Sequence, residues 1–173
     1  MLKFALLGLL NYREMSGYDL EQFISSSIGH FWHAKLSQIY RTLKSLEEEG
    51  LVTSRMESQE DSRSKRIYTL TDKGLKDFRD WLSTFDTELD PSKVPFLVRV
   101  FFFGMVDKGQ IEAQLRVWTD LHQRQLAYYE NLRIPEEGSS KEDLLFWKAT
   151  LRFGMMYEEM VLNWLKEITD ELE

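Results

Sequence analysis

The residues with the clearest chemical potential lie in one stretch, Leu36–Gly50, which reads LSQIYRTLKSLEEEG. Its apolar residues recur at spacings of three, four and three, which is typical of one face of an amphipathic helix. A helical turn of about 100° per residue places small polar and basic side chains on the opposite face. They are Ser37, Gln38, Arg41, Lys44 and Ser45. Such a face suits a recognition helix in the DNA major groove, although an ordinary surface helix with solvated charges would also carry it.

Two strand-like runs follow this stretch. Leu51–Met56 and Arg66–Leu70 are rich in alternating β-branched and aromatic residues, whereas Glu57–Lys65 between them is polar and turn-rich. We therefore expect a β-hairpin with a loose tip, and Gly50 before it as the left-handed cap of the helix. A basic tip would lie along the DNA backbone or the adjacent minor groove, although a solvated charge run needs no function. The basic residues of the tip are Arg63, Lys65 and Arg66.

Three more helices are predicted around this hairpin. Leu2–Leu10 is apolar nearly all round and is typical of a buried first helix. Ser16 can cap the next helix by accepting a hydrogen bond from the backbone N–H of Asp19, and Thr71–Gly74 starts a helix that runs to about Phe85. Two helices, a recognition helix, a hairpin and a capped helix in that order predict a winged helix-turn-helix domain.

Four motifs within residues 1–85 point to one known family. They are LLGLL at Leu6–Leu10, SGYDL at Ser16–Leu20, QIYRTLKSLEEEGLV at Gln38–Val52 and IYTLTDKG at Ile67–Gly74. These motifs resemble the N-terminal domain of PadR-type transcriptional regulators, bacterial repressors named for the control of phenolic-acid detoxification. The resemblance implies a homodimer that binds a double-stranded DNA operator and releases it when a small molecule, often phenolic or drug-like, binds. The family's wing usually carries a glycine or proline between its basic residues, and Ser62–Arg66 has neither.

The helix face, the wing and three flanking residues form the predicted DNA interface. Tyr40 lies beside the apolar stripe, where its ring can pack while its hydroxyl meets a phosphate. Tyr18 and Lys35 are further candidates for phosphate contacts. The whole set is Tyr18, Lys35, Ser37, Gln38, Tyr40, Arg41, Lys44, Arg63, Lys65 and Arg66.

The distribution of charge permits this interface despite a net charge of −7. From His30 to Leu70, seven Lys and Arg residues stand against six acids, whereas the rest of the chain carries 15 basic and 23 acidic residues. An acidic body with a locally neutral-to-basic face predicts modest non-specific affinity for DNA and reliance on a specific dimeric site.

The acidic net charge leaves two other functions open. One is a helical protein-interaction module whose winged domain binds protein and not DNA, and the other is a small-molecule sensor with no role on DNA.

The residue inventory argues against an enzyme and against a metal centre. The chain has no cysteine, Gly-rich phosphate loop, nucleophile elbow or HExxH motif, so no catalytic residue and no cofactor are predicted. His30 and His33 lie three residues apart without an evident third ligand, and we assign them a structural role. Val94–Val106 is too short to span a bilayer and contains Arg99, and the N-terminus lacks a signal-peptide cleavage site. A cytoplasmic protein is therefore expected.

The second half is predicted to be a helical dimerisation domain, so the fold class is mainly α. The acidic stretch with two prolines at residues 86–95 marks a linker between residues 1–85 and residues 96–173. Phe96–Met105 is compatible with a strand by composition, whereas the resemblance favours a short buried helix. The two long helices that follow carry heptad-like apolar repeats. Together they have more apolar surface than one coiled-coil-like hairpin can bury, which predicts a homodimer.

The aromatic residues of this half are candidates for an effector pocket between domains or at the dimer interface. The strongest candidates for binding an aromatic small molecule are Phe102, Trp118 and His122. At helical spacing such residues are also typical of a packed core, and a histidine in the apolar stripe is also typical of a satisfied interface residue.

Overall fold

The computed structural model describes residues 1–27, 34–59, 62–85, 87, 94–134 and 140–172, and it divides into two compact units, Met1–Glu88 and Leu89–Glu173. The described part of the first unit contains four helices and three strands. They are α1 (Leu2–Tyr12), β1 (Met15–Ser16), α2 (Gly17–Ser27), α3 (Leu36–Glu48), β2 (Val52–Gln59), β3 (Ser62–Leu70) and α4 (Asp72–Leu82). The order of these elements confirms the predicted winged helix-turn-helix.

The core of the first unit forms where the apolar stripes of α1, α2 and α3 meet the base of the hairpin. Leu6 and Leu7 of α1 are fully buried, as are Ile39 and Leu43 of the α3 stripe. Burial of each such side chain stabilises the folded state by about 1.5–3 kcal/mol. Because the stripe faces inward, the polar face of α3 faces outward, as its spacing predicts.

Helix ends in this unit are fixed by residues that the sequence singles out. The Ser16 hydroxyl accepts from the Asp19 N–H (3.1 Å), and the Asp19 carboxylate accepts from the Ser16 N–H (3.0 Å), so the predicted cap is confirmed as a capping box. The hydroxyl and the N–H of Ser16 hold the pKa of Asp19 below its usual value. Gly50 has φ +71°, and the Leu51 N–H donates to the Leu46 carbonyl (2.8 Å), which confirms the left-handed end of α3.

The three strands form an antiparallel sheet in the order β1–β3–β2. Pairing between β2 and β3 continues outward as far as Gln59 and Ser62, so the prediction of a loose tip over residues 57–65 is wrong. The polar composition conceals this pairing, but Glu57 lies opposite Lys65, and opposite charges on facing positions stabilise a strand pair. The wing is therefore a longer hairpin than its sequence predicts, with a shift in register between Glu57 and Gln59.

One short strand and the end of one helix also differ from the sequence prediction. The strand β1 is not predicted, because two residues cannot show an alternating pattern and their partners in β3 lie far along the chain. Helix α4 starts as expected, with the Thr71 hydroxyl accepting from the Gly74 N–H (3.0 Å). It ends at Leu82 and not at Phe85, since the Ser83 hydroxyl donates to a carbonyl in its last turn (2.7 Å).

The described part of the second unit contains three α-helices and one 3₁₀ turn. They are α5 (Pro95–Phe101), the turn Phe103–Met105, α6 (Lys108–Asn131) and α7 (Lys141–Leu172). The Ser140 hydroxyl accepts from the Asp143 N–H (3.0 Å), which confirms Ser140 as the cap of α7. The heptad-like stripes of α6 and α7 pack on each other through Ile111, Leu115, Val161 and Leu165.

The segment that holds α5 is helical, as the resemblance implies, and not a strand. Its predicted burial is wrong for most of its length, since Phe101 is 82% exposed and Met105 in the following turn is 86% exposed. Phe96 and Phe103 pack against the α6–α7 core. The segment is thus anchored through two rings, while most of its other apolar side chains are exposed.

Candidate nucleic-acid interface

The outward face of α3 brings the predicted base-reading residues together. They are Ser37, Gln38, Arg41 and Lys44, and all four are exposed. The Gln38 side-chain oxygen accepts from the Lys35 N–H (3.0 Å), so Gln38 also fixes the first turn of the helix while its amide N–H groups remain donors. The row presents a guanidinium, an ammonium, an amide and a hydroxyl, which are the groups that bind base edges in a major groove.

Tyr18 and Tyr40 lie at the junction of α2 and α3. A Cβ atom on Gly17 would lie 2.5 Å from Cε1 of Tyr40, so the glycine lets the Tyr40 ring approach the first turn of α2. Tyr40 remains 42% exposed and Tyr18 54% exposed, and each can offer a hydroxyl to a phosphate. The sequence analysis misses the role of Gly17, because only the fold reveals which side chain passes over it.

The wing cations have different surroundings. Lys65 and Arg66 are consecutive residues of β3 and therefore lie on opposite faces of the strand. Lys65 is exposed, and its charge acts with the Ser16 hydrogen bonds to lower the pKa of Asp19 in α2. The Arg66 side chain is half exposed, and its Nη2 lies 2.7 Å from Oε2 of Glu47 in α3. The side chain of Arg63 lies outside the described residues.

Each glutamate at the C-terminal end of α3 has a basic neighbour. Besides the contact of Glu47 with the wing, Glu48 lies 3.8 Å from Lys44 and Glu49 lies 3.1 Å from Lys3 of α1. The hydrogen bond from Lys3 lowers the pKa of Glu49. The acidic end of the recognition helix is thus compensated within the domain.

The described residues contain no group of three or more His, Asp or Glu side chains that could hold a metal ion. His30 and His33 lie outside that part of the chain. None of the described helices is long and apolar enough to cross a membrane.

Trp118 and His122, two of the three predicted effector residues, meet in an aromatic cluster of the second unit. The ring of Phe96 from α5 lies 5.5 Å from Trp118, 6.4 Å from His122 and 5.6 Å from Trp164 of α7, measured between centroids. Phe103 stacks on Trp118 at 5.7 Å. Phe96 thus lies among three aromatic rings, and its own ring is tilted by 58–60° to each of them.

A buried carboxylate lies beside this cluster. Oε2 of Glu158 lies 2.5 Å from Nδ1 of His122, and Glu158 is only 6% exposed. A carboxylate in such a place requires a hydrogen-bonding or charged partner, because the loss of hydration is otherwise uncompensated. His122 supplies that partner.

The third predicted effector residue, Phe102, is not brought into the cluster. It is 55% exposed, and its ring lies against Phe101 at 5.0 Å. The sequence analysis misses Phe96, and its interpretation of Glu158 as a solvated helix charge is wrong, since this side chain is buried. An unbroken apolar run does not show which of its rings will face inward, because this depends on the phase of α5 and on the turn that follows it.

Comparison with known proteins covers both halves of the chain. Residues 6–80 match the transcriptional regulator PadR-like family, and residues 92–173 match the virulence activator alpha C-term family. The chain is 32% identical, over 97% of its length, to the negative transcriptional regulator PadR of Bacillus subtilis strain 168, of which 95% is covered. It is 25% identical to a probable transcriptional regulator of Mycobacterium tuberculosis, over 98% of this chain and 96% of that protein.

Three solved structures are similar to this chain over 99% of its length. The structure of Bacillus subtilis PadR in complex with operator DNA has a TM-score of 0.84 and 30% identity, with 99% of both chains covered. The structure of the same protein in complex with p-coumaric acid has a TM-score of 0.77 and 30% identity, with 99% and 98% covered. The Vibrio cholerae virulence activator AphA shares the fold, with a TM-score of 0.75 and 24% identity over 99% and 98% of the two chains.

Proposed function

Because the chain belongs to the PadR-like family of transcriptional regulators, we propose that it is a dimeric repressor that binds a palindromic operator and releases it when an aromatic small molecule binds. The similarity of almost the whole chain to a repressor solved on operator DNA carries the proposal. Its relatives are regulators and not enzymes, and we assign this chain neither a catalytic residue nor a cofactor. It acts in the bacterial cytoplasm, where operator DNA lies.

The recognition helix α3 enters the major groove of each half-site. Arg41 and Gln38 are suited to read base edges, since a guanidinium pairs with guanine and an amide pairs with adenine through two hydrogen bonds each. In the same row, Ser37 adds a hydroxyl donor on a short side chain and Lys44 an ammonium donor on a long one. Phosphate contacts that set the register of α3 on the duplex come from Tyr18, Lys35 and Tyr40.

The wing supports the recognition helix from the side. The exposed Lys65 binds a backbone phosphate next to the groove, and Arg63 belongs to the same basic wing by its place in the sequence. Contacts of this kind add affinity without sequence preference. They compensate for the unfavourable net charge of −7.

A second copy of the chain covers the second unit. Besides the stripe that packs on α6, helix α7 carries a row of apolar residues on another face: Phe146 is 65% exposed, Phe153 65% and Met160 54%. These three residues are seven positions apart, which is the repeat of a helix–helix seam. Monomeric proteins rarely leave such a row in water. Two-fold pairing through this row requires two half-sites with recognition helices about 34 Å apart or a multiple of that distance.

The effector is an aromatic acid or phenol that binds in the second unit. Trp118 offers an aromatic face and His122 a ring nitrogen, and both lie in one cluster with Phe96. The p-coumaric acid complex of the Bacillus subtilis relative supports this ligand class. Such a ligand must bind the DNA-free form more tightly than the DNA-bound form if it is to release the operator.

Selection of bound sequences from random duplex DNA tests the proposal, with protein refolded from denaturant so that no effector is carried over. We expect a palindromic consensus, and we expect p-coumaric acid to reduce the retained DNA. No enrichment by a folded dimer would contradict the repressor function and would favour a protein-interaction module, which the acidic net charge permits. Affinity that falls steeply with added salt would separate DNA binding from that alternative.

A further inference from the structure

Three polar side chains join the recognition helix to both strands of the wing. Glu47 lies near the end of α3, Ser54 lies in β2 and Arg66 lies in β3. Arg66 Nη2 donates to Glu47 Oε2 (2.7 Å), Arg66 Nε donates to Ser54 Oγ (2.8 Å), and Ser54 Oγ donates to Glu47 Oε1 (2.5 Å). The three side chains thus close a hydrogen-bonded ring across three elements.

The geometry of this ring restricts how the wing can move relative to α3. Both carboxylate oxygens of Glu47 are occupied, one by each strand, so neither β2 nor β3 can shift without breaking a hydrogen bond to the helix. The Arg66 guanidinium also lies over the Tyr68 ring, at 5.7 Å from the centroid. The Glu47 side chain is 30% exposed, so water competes for it less than for a fully exposed carboxylate.

The hydrogen bonds of the ring also change the role that we assign to Arg66. By sequence, Arg66 is one of three cations available to phosphate, but its Nε and Nη2 are already used and a carboxylate compensates its charge. The neighbouring Lys65 points to the opposite face of β3 and is exposed. Whether Lys65 reaches a phosphate depends on the position of the hairpin relative to α3. The hydrogen-bonded ring restricts this position.

We propose that Glu47 is a positioning residue for DNA binding, which acts through Arg66 and Ser54 to hold the wing where Lys65 reaches the phosphate backbone while α3 occupies the major groove. The inference rests on the proposed function. It assigns an acidic residue of the recognition helix a favourable part in binding a polyanion, whereas charge alone predicts the opposite.

The test compares operator affinity, its salt dependence and thermal stability for full-length Glu47→Ala, Arg66→Ala, Lys65→Ala and the pair Glu47→Ala with Lys65→Ala. Glu48→Ala is the matched control, because it removes one carboxylate from the same turn outside the ring. Since Glu48 lies 3.8 Å from Lys44, this variant also reports how much the release of a cation alone changes affinity. We expect Glu47→Ala and Arg66→Ala each to weaken operator binding by about tenfold, within the range of coupling between contacting residues. Each should also lower the salt slope by about 0.9, the value for one lost phosphate contact.

The decisive result concerns the Lys65→Ala background, where Glu47→Ala should cause no further loss of affinity and no further change of salt slope. Tighter binding by Glu47→Ala than by Glu48→Ala would overturn the proposal, since Glu47 would then only sequester Arg66 from phosphate. Lower thermal stability with unchanged affinity of the folded protein would also overturn it. If the wild-type chain selects no duplex at all, the proposed function fails. If the wild type binds and Glu47→Ala behaves like Glu48→Ala, only the positioning role fails.

Discussion

The two compact units bury their apolar side chains to very different degrees. Thirteen apolar residues form the buried core in the described part of the first unit, whereas four do so in the second. Conversely, among the described residues fifteen large apolar side chains are exposed between Leu97 and Met160, against eight in the first unit. The first unit is therefore closed on itself, whereas the second leaves a large apolar surface uncovered.

The buried polar groups show the same contrast. In the first unit, the buried Ser16 is satisfied within the capping box of α2. In the second unit, the buried Glu158 depends on His122 from another helix. A unit with few buried contacts and a charge in its core opens and rearranges at a lower free-energy cost. Together with the proposed function, this contrast leads us to expect a pre-formed DNA-reading surface in the first unit and the response to partner and ligand in the second.

The largest expected effect follows from placing charge on the uncovered face of α7. Phe153→Glu together with Met160→Glu should convert the dimer to a monomer and weaken operator binding at least about 100-fold, because unpaired carboxylates resist burial between apolar surfaces. Sedimentation and fluorescence anisotropy measure the two effects. Arg152→Glu is the control for a new carboxylate on the same helix, and equal behaviour of the two variants would argue against this face as the interface.

The next effect concerns the buried charge of the second unit. His122→Ala should lower the free energy of unfolding by about 3–5 kcal/mol, because it leaves the Glu158 carboxylate buried without this partner. Adding Glu158→Met should restore most of the loss, since an apolar side chain of similar length needs no partner. Chemical denaturation measures both, and a double variant as unstable as the single one would show that the ring of His122 matters for its packing.

Two glycine substitutions test the closed packing of the first unit against the open packing of the second. A Cβ atom on Gly74 would lie 2.1 Å from the Leu51 carbonyl oxygen, so Gly74→Ala should cost about 1–3 kcal/mol of stability. Gly109, in the first turn of α6, has nothing within 4 Å of such an atom. Gly109→Ala should therefore stabilise the chain by up to about 1 kcal/mol. Thermal unfolding of the two variants should shift in opposite directions.

Within the first unit, a substitution on the outward face of α3 should weaken operator binding without changing the stability of the fold. Arg41→Ala should weaken specific operator binding by about 1–3 kcal/mol, with little change in unfolding, because Arg41 is exposed. Titration of consensus and scrambled duplexes measures the loss. Unchanged affinity for the consensus would remove Arg41 from the interface.

The smallest effect is the pH dependence of the α2 cap. The pKa of Asp19 is lowered in the folded state, so its contribution is present above its ordinary pKa and is lost as the pH falls through the lower folded value. Asp19→Asn should destabilise the chain by about 1 kcal/mol near neutral pH and by progressively less in acid. Parallel denaturation curves from pH 7 to pH 2 measure this, and a difference that persists in acid would contradict the assignment.

Much of the fold could be predicted because its signals are local. The stripe of α3, the caps at Ser16, Thr71 and Ser140 and the left-handed Gly50 each depend on residues within a few positions of one another. The DNA-facing row on α3 follows from the same periodicity. These predictions are confirmed for the elements themselves, while the DNA contacts stay predictions.

The features that sequence reasoning misses depend on partners distant in the chain. The outer wing continues the pairing of β2 and β3, with Glu57 opposite Lys65, and no alternating apolar pattern predicts it. Arg66 is engaged by Glu47, nineteen positions away, and no spacing rule connects the two. The phase of α5, which selects Phe96 over Phe102, is set by packing on α6 and α7. Tertiary contacts, and not local preference, decide each of these.

We expect a second copy of the chain to complete the second unit and thereby to pair two recognition helices. Sedimentation of the full chain, free and with the selected operator duplex, tests it most directly. We predict a free species of twice 20.6 kDa and a complex with two chains per duplex. A species of 20.6 kDa at micromolar concentration that binds the same duplex as one chain would contradict the claim.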